Sequence, residues 1–313
     1  MIDFHTDTIY RLVMSQSGET LLKNSFSVDI ERMLSAGVRA VCLALFTPKE
    51  NDLGFSRWSL FEKLHERFVL ELANASAYIT QATKAGDIEK NRLSAVLTVE
   101  DIGPLDGDVG KLSLLKSWGV RIASLIWNNE NAYAYPNSRD GRIMSRGLKK
   151  KGLEAVEALS SMGIIIDVSH LNDGGFYDVF SSGVKMVATH SNSRALCNHP
   201  RNITDDMARK IADRGGIIGL NVCPLFLRDY PESSSEESLL SSVSDMVRHV
   251  MHFYKIAGED VLAIGSDLDG TDGVLEIASP LDYEKLREPL RKAGLSERQL
   301  DKFYFLNGLR VLG

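Results

Sequence analysis

The chain has 313 residues, a length within the range of a single α/β barrel, and 44% of them are hydrophobic and 25% charged, as in ordinary globular proteins. Its net charge of −6 argues against a nucleic-acid partner, which usually requires a basic surface. No apolar run approaches the roughly 20 residues of a membrane span, no signal peptide is visible and no cysteine pair forms a C-x-x-C pattern, so we expect a cytoplasmic protein without a membrane partner.

Eight short apolar segments recur along the chain and predict eight β-strands. They lie at 1–7, 38–46, 94–100, 120–127, 163–170, 184–190, 216–222 and 261–267. Several are nearly continuous runs of Val, Ile, Leu and Ala, as expected for parallel strands that are buried on both faces. In the first, "MIDFHTD", residues two apart share a face, so we expect Asp3, His5 and Asp7 to point in one direction.

Amphipathic segments with helical spacing lie between these strands. They cover 57–86, 146–163, 204–216, 238–258 and 295–313, and the last begins with Ser296 and Gln299 at capping-box spacing. The Ser- and Glu-rich segment 231–238 is expected to be a solvated loop. Strands alternating with helices favour an α/β fold, a single (β/α)8 TIM-like barrel over residues 1–313. A doubly wound open sheet is the alternative, because the number of strands does not show whether the sheet closes.

Polar side chains gather at the carboxyl ends of the predicted strands. They are, in chain order, His5 and Asp7, Glu100, Trp127 and Asn128, His170, His190, Asn221 and Cys223, and Asp267. The ends of different barrel strands meet on one rim, where barrel enzymes build their active sites. Each residue alone also has an ordinary structural explanation: a lone histidine is usually a hydrogen-bonded core residue, and Asp267 competes with Asp269 as a turn residue.

Three histidines and three carboxylates on one rim require bound cations, because closely packed carboxylates repel one another and their pKa values rise. Imidazole together with carboxylate suits zinc best, with iron or manganese as weaker candidates. A single catalytic zinc normally takes three protein ligands and keeps one position open. Two ions about 3.5–4 Å apart, bridged by a carboxylate, account for six groups. The sequence therefore predicts a dinuclear metal centre on this rim.

Six motifs in order resemble the membrane (renal) dipeptidase family of zinc metallopeptidases. They are "DFHTD", "LTVEDIG", "GIIIDVSH", "ATHSNSRALCNHPRNITDD", "GGIIGLNV" and "IGSDLDG". The resemblance runs from residue 2 to the final "NGLRVLG". It implies a barrel that binds two Zn²⁺ ions and hydrolyses the peptide bond of dipeptides, including those with a C-terminal D-residue.

The resemblance also implies roles for individual residues. The zinc ligands would be His5 and Asp7 for one ion, His170 and His190 for the other, and Glu100 as the bridge between them. Asp267 would contact the first ion and move the proton from the attacking water to the leaving amine. Glu100 and Asp267 are therefore the expected catalytic residues.

Three further residues are expected to contact the substrate. Arg201 matches the arginine that receives the terminal carboxylate, a task that suits a planar guanidinium. Trp127 stands where the vertebrate-like branch of the family has a histidine facing the substrate carbonyl. The indole N–H of Trp127, the amide of Asn128 or zinc alone could then stabilise the oxyanion, and the sequence leaves this choice open. Dimers are common in the family, so a homodimer is an open expectation without an identified interface.

Two other functions stay open at this stage. Another metal-dependent hydrolase on the same barrel, such as a lactonase, deaminase or phosphotriesterase, would use a similar set of ligands. A catalytically silent barrel that serves as a binding protein is the non-enzymatic alternative. Such a degenerate protein is expected to have lost a ligand or two, whereas all six are present here. The sequence therefore favours a dipeptidase whose partner is its dipeptide substrate.

Overall fold

The protein is seen in a computed structural model that describes residues 1–15, 17–88, 92–231, 234–235 and 238–313. The strands are β1 (Ile2–Thr6), β2 (Ala40–Phe46), β3 (Ile79–Gln81), β4 (Leu93–Glu100), β5 (Ile122–Ser124), β6 (Ile165–Asp167), β7 (Met186–Val187), β8 (Ile218–Leu220), β9 (Leu240–Ser241), β10 (Leu262–Ile264) and β11 (Val274–Leu275). The helices are α1 (Thr8–Met14), α2 (Ile30–Ser35), α3 (Arg57–Asn74), α4 (Leu112–Ser117), α5 (Gly141–Met144), α6 (Lys150–Ser161), α7 (Asp173–Ser181), α8 (Asp205–Asp213), α9 (Pro224–Leu227), α10 (Val243–Ala257), α11 (Arg287–Lys292), α12 (Glu297–Asp301) and α13 (Asn307–Leu312). Within the described ranges, no helix has both the length and the apolar character needed to cross a membrane. The Ser- and Glu-rich segment expected to be a solvated loop lies partly outside the described residues.

Eight strands form a parallel sheet in the order β7-β6-β5-β4-β2-β1-β10-β8, and β3 pairs with β4 outside this path. The two ends of the order meet through a parallel bridge between Ala188, which follows β7, and Ile218 of β8. The amide of Ala188 donates to the carbonyl of Ile217 (2.9 Å), and the amide of Gly219 donates to the carbonyl of Ala188 (2.8 Å). The expected (β/α)8 barrel is therefore confirmed, and closure of the sheet excludes the open doubly wound alternative.

All eight predicted strands are present, but most are shorter than the apolar runs that predict them. β5 ends at Ser124, although its apolar run continues to Trp127. The carbonyl of Ser124 accepts from the amide of Ile102 (3.1 Å), which lies in the loop after β4. The backbone thus stops pairing with the neighbouring strands after Ser124, before the rim residues Trp127 and Asn128. β9 occupies the start of the helix predicted over 238–258, so α10 begins at Val243.

The prediction of a helix over 57–86 is wrong in its second part. α3 ends at Asn74, and β3 follows and pairs with the amino-terminal part of β4. The residues of "YIT" are aromatic or β-branched and favour an extended backbone. The side chain of Ile79 is buried, and its backbone pairs with Leu93. Local periodicity does not reveal such a long-range pairing.

Apolar side chains fill the amino-terminal half of the barrel interior. Ile2 and Phe4 of β1 pack there with Val311 and Leu312 of α13. Gly308 permits this close approach, because a Cβ atom at that position would lie 2.7 Å from the ring of Phe4. His5, Glu100 and Asp167 lie towards the opposite half, at the carboxyl ends of their strands.

The register of β1 against β2 shifts after Asp3. The carboxylate of Asp3 accepts hydrogen bonds from the amide (2.9 Å) and hydroxyl (2.6 Å) of Ser266, and from the hydroxyl of Tyr283. Asp3 therefore fastens β1 to the segment after β10 and does not share the site of His5 and Asp7. Simple alternation along the strand does not hold across a shifted register.

Candidate metal centre

The polar half of the barrel is organised around Glu100, the last residue of β4. Its Oε2 lies 3.4 Å from Nε2 of His5, and this nitrogen is 3.6 Å from Oδ2 of Asp7. Its Oε1 lies 2.8 Å from Nε2 of His170 and 3.4 Å from Nε2 of His190. The two oxygens of one buried carboxylate therefore face two separate groups of potential ligand atoms.

Asp267 follows β10 and lies on the His5 side of this cluster. Its Oδ1 is 3.8 Å from Nε2 of His5, and its Oδ2 accepts from the side-chain amide of Asn221 (2.8 Å). The residue has a φ of 64°, in the left-handed region that aspartate tolerates better than most residues. Its amide donates to the carbonyl of His5 (3.0 Å). Burial raises the pKa of Asp267 to about 6, and His5 opposes this shift.

Hydrogen bonds fix which nitrogen of His170 and His190 carries the proton. Nδ1 of His170 lies 3.1 Å from Oδ1 of Asn128, which accepts only, so this nitrogen is protonated. The hydroxyl of Thr189 donates to Oδ2 of Asp167 (2.6 Å) and lies 2.8 Å from Nδ1 of His190. The hydroxyl can therefore only accept from that nitrogen. In both histidines Nε2 keeps its lone pair and points into the cluster.

The electrostatics of this arrangement favour a bound cation. Burial lowers the pKa values of His170 and His190 well below 6.5, so both imidazoles are neutral. Their Nε2 atoms are only 3.1 Å apart, so two lone pairs face each other. Burial also raises the pKa of Glu100 to about 7, although His5 opposes the shift. A positive charge between these groups would relieve both the lone-pair repulsion and the desolvation of the carboxylate.

The residues fit metal ions. Three groups of ligand atoms, each with all members within 4.8 Å of one another, are His5–Asp7–Glu100, Glu100–His170–His190 and His5–His190–Asp267. All six residues expected as ligands are thus brought together. Nε2 of His5 and Oδ1 of Asp7 are buried and have no hydrogen-bond partner among the described residues. Imidazole and carboxylate are the donors that zinc accepts, and two groups sharing Glu100 suit a pair of ions.

A cavity of about 290 Å³ opens above the cluster. Glu100, His170 and Asp267 contribute to its lining, so the ligand atoms are accessible from it. Aromatic side chains, among them Phe46 and Trp127, form part of its walls. A buried cluster of potential metal ligands below an open cavity suits a small substrate.

The three residues expected to bind substrate have different surroundings. Trp127 is half-buried and lines the cavity. Asn128 also lines the cavity, but its side-chain oxygen Oδ1 contacts Nδ1 of His170. Arg201 is buried, and its guanidinium donates to the hydroxyl of Ser191 (3.0 Å) and the carbonyl of His190 (2.9 Å). Its Nε has no partner within the described part of the chain.

Sequence reasoning missed several residues that position the cluster. Asp167 and Thr189 orient the imidazole of His190. Of these two, Asp167 could have been found from the sequence, because it is an aspartate at the end of an apolar strand in "GIIIDVSH". Gly270 was also missed. A Cβ atom there would lie 2.0 Å from Oδ2 of Asp7 and 2.8 Å from Oδ1 of Asp267, so only glycine leaves room for both carboxylates.

The closed barrel, with imidazoles and carboxylates at the carboxyl ends of its strands, has the fold of a metal-dependent hydrolase. A sequence model of the membrane dipeptidases (peptidase family M19) matches residues 1–313, and the chain therefore belongs to this family. The resemblance carried by the six sequence motifs is thus confirmed.

Comparisons with individual proteins agree with this assignment. A protein encoded in the pqqA 5′ region of Klebsiella pneumoniae is 34% identical over 252 residues, covering 77% of this chain and 90% of that protein. Dipeptidase aclJ of Aspergillus oryzae is 27% identical over 245 residues, 75% of this chain but only 56% of the fungal protein. A metallopeptidase from Rhodobacter sphaeroides, solved with a phosphinate mimic of L-Ala-D-Ala, has a TM-score of 0.87 at 22% identity, over 100% of this chain and 98% of that chain. This last likeness shows the shared fold.

Proposed function

We propose that the protein is a dinuclear zinc dipeptidase that hydrolyses the peptide bond of dipeptides, including those with a C-terminal D-residue. The observation that carries this proposal is the position of Glu100, whose two oxygens face separate imidazole groups 2.8–3.4 Å away. Membership of the membrane dipeptidase family supports the substrate class. The phosphinate mimic of L-Ala-D-Ala in the Rhodobacter sphaeroides metallopeptidase supports a D-residue at the second position.

The residues that would hold the two ions form two sets joined by one carboxylate. They are His5 and Asp7 on one side, His170 and His190 on the other, and Glu100 between them, with Asp267 beside His5. When bound, a pair of zinc ions polarises a carbonyl and lowers the pKa of water from 15.7 to roughly 7. The remaining tasks, which are proton transfer and substrate orientation, belong to side chains of the protein.

Asp267 is the group that we assign to proton transfer. Asn221 holds one oxygen of its carboxylate, so the side chain has a fixed orientation. The other oxygen faces His5 and the cavity. It is free to take a proton from the attacking water and to return it to the leaving amine nitrogen.

Arg201 is the group that we assign to the terminal carboxylate of the substrate. Its guanidinium is buried beside the strand end that carries His190, and its Nε has no hydrogen-bond partner among the described residues. The guanidinium carbon Cζ of Arg201 lies 5.6 Å from the ring centre of Phe226, which lines the cavity. A buried cation favours an anionic ligand, and the free carboxylate is the anion that every dipeptide carries. This contact would restrict the site to short peptides.

The variant Asp267→Asn tests the proposal. We expect it to keep the fold and both metal ions but to lose about 10²–10⁴-fold in kcat, because the amide cannot accept the proton. Asp269→Asn is the matched control. Asp269 lies in the same loop with a φ of 69°, but its carboxylate binds the hydroxyl of Thr8 and the amide of Ser27. The control should lower thermal stability and change kcat only a few-fold; near-wild-type turnover by Asp267→Asn would remove Asp267 from the mechanism.

A substrate panel separates the proposed function from its alternatives. Dipeptides with L- and D-residues at the second position are compared with lactones and phosphotriesters, on protein purified without chelator. Turnover of a lactone or phosphotriester above that of every dipeptide would favour another hydrolase of this barrel type. Elemental analysis showing fewer than one metal ion per chain would favour a catalytically silent barrel.

A further inference from the structure

Three aromatic side chains from separate elements form one wall of the cavity. Tyr10 of α1, Phe46 at the end of β2 and Trp127 after β5 all line it, and we call them the aromatic wall. The ring centres of Tyr10 and Phe46 are 5.1 Å apart, and those of Phe46 and Trp127 are 4.8 Å apart, each pair at 66°. These edge-to-face contacts hold the rings as one rigid apolar surface. Metal binding and proton transfer as proposed above make no use of them.

The order of strands places Phe46, the central ring of the aromatic wall, across the barrel from the strand end beside Arg201. In the closed barrel, three strands lie between β2 and β7 in either direction. Phe46 is the last residue of β2, and Arg201 contacts the carbonyl of His190, which follows β7. The metal cluster around Glu100 lies between them. A dipeptide whose carboxylate contacts Arg201 and whose peptide carbonyl lies over the cluster therefore extends its first residue towards the aromatic wall.

We propose that the aromatic wall binds the side chain of the first residue and makes the enzyme selective for dipeptides with a large apolar or aromatic residue at that position. This inference rests on the proposed dipeptidase function. The wall presents no charged group, and all three rings are half-buried, so each leaves part of its surface to a ligand. An apolar side chain gains by burial there, and an aromatic one also adds a further edge-to-face contact. A charged side chain would lose hydration where it packs against the three rings.

The inference is tested on the zinc-loaded enzyme with pairs of dipeptides that carry the large residue at the first or at the second position, such as Phe-Ala and Ala-Phe. We expect kcat/KM for Phe-Ala and Leu-Ala to exceed that for Ala-Ala by about tenfold or more, and Asp-Ala and Lys-Ala to be the poorest substrates. Phe46→Leu should lower the ratio of Phe-Ala to Ala-Ala at least fivefold, on the scale that pocket contacts give. The ratio of Ala-Phe to Ala-Ala should stay the same, because the second residue lies on the Arg201 side. Trp127→Leu carries the same expectation and replaces Phe46→Leu if that variant does not fold.

Phe226→Leu is the matched control, since it removes a ring from the opposite wall, beside Arg201. It should change kcat/KM for Phe-Ala and Ala-Ala by a similar factor and leave their ratio within twofold. Hydrolysis of dipeptides without preference for the first residue, or a ratio that Phe46→Leu and Trp127→Leu leave unchanged, would overturn this inference and leave the dipeptidase function intact. Failure to hydrolyse any dipeptide would overturn both.

Discussion

In the candidate centre, one oxygen atom next to each of two histidines determines which ring nitrogen carries the proton. Asn128 accepts from Nδ1 of His170, and Thr189 accepts from Nδ1 of His190 because its own proton is donated to Asp167. Both Nε2 lone pairs are therefore directed at the position where an ion is proposed. Neighbours of this kind set the tautomer and orientation of metal-binding histidines, and their loss typically weakens metal affinity 10–100-fold.

Thr189→Val should therefore weaken metal binding without removing any ligand. Valine has the same shape, but it can neither accept from His190 nor donate to Asp167. We expect a roughly 10–100-fold loss of affinity for one of the two ions, measured by titration of the metal-free protein. Thr189→Ser restores the hydroxyl and should restore the affinity, which a purely structural role for the methyl group would not predict.

Thr98→Val is the matched control for this experiment. Thr98 is buried on β4, two positions before Glu100, and its hydroxyl has no partner within the described ranges. Its replacement should leave both metal affinities within about twofold. An equal loss of affinity in Thr98→Val and Thr189→Val would contradict the role assigned to the Thr189 hydroxyl.

The sequence predicted the candidate ligands better than the residues that orient them. His5, Glu100 and His190 could be found because each ends or follows an apolar run, and strand ends converge in a barrel. Thr189 has no such signal, because its role depends on the distance between its hydroxyl and Asp167 on the neighbouring strand. Asn128 is similar: its place on the rim was predictable, but the contact of its amide oxygen with His170 depends on a bend after β5.

At the scale of elements, α10 is anchored to the polar half of the barrel through His249. This residue is 1% exposed. Its Nδ1 accepts from the amide of Ser193 (3.0 Å), and its Nε2 donates to the carbonyl of Leu227 (2.9 Å). The Nδ1 bond requires the neutral imidazole, because a protonated Nδ1 cannot accept, and burial lowers the pKa of His249 to about 4. Helical periodicity predicted that His249 lies on a helix, but it could not predict these two backbone partners, which are distant in sequence.

His249 should make the stability of the protein depend on pH between about 4 and 6.5. Its pKa is lower in the folded state, so the unfolded chain binds a proton first as the pH falls, and the stability present above pH 6.5 is lost towards pH 4. The full loss corresponds to about 3 kcal/mol in the free energy of unfolding. His249→Gln keeps a donor for Leu227 but does not titrate. Urea unfolding should show it about 1–3 kcal/mol less stable at pH 7.5 and progressively closer to the wild type at pH 5.5 and 4.5.

His252→Gln on the same helix is the control for this pH profile. His252 is only partly buried and pairs with Asp205 at 2.7 Å. Because this variant keeps His249, it should keep the wild-type decline of stability below pH 6.5. A constant difference between wild type and His249→Gln at every pH would show that His249 does not cause the decline.

At the scale of the whole molecule, the candidate centre joins strands that are far apart in sequence. Its ligands come from the ends of β1, β4, β6, β7 and β10, which are distributed around the barrel. The barrel itself closes between β7 and β8 through the bridge of Ala188 with Ile218. The strand count predicted the class of fold but not this closure, which depends on a pairing of two very short strands. Ions that bind five strands at once would reinforce the closed barrel, because global unfolding must release them.

Removal of metal should therefore lower the stability of the entire barrel and not only abolish activity. An ion present at a thousandfold its Kd adds about 4 kcal/mol to the free energy of unfolding, so a chelator should lower Tm by several degrees, and added zinc should restore it. The control is Glu100→Gln, which keeps the size of the bridging side chain but removes its charge. Its Tm should respond much less to chelator, and elemental analysis should find fewer than two ions per chain. If chelator shifted the Tm of Glu100→Gln as much as that of the wild type, the stabilising ions would lie somewhere other than at Glu100.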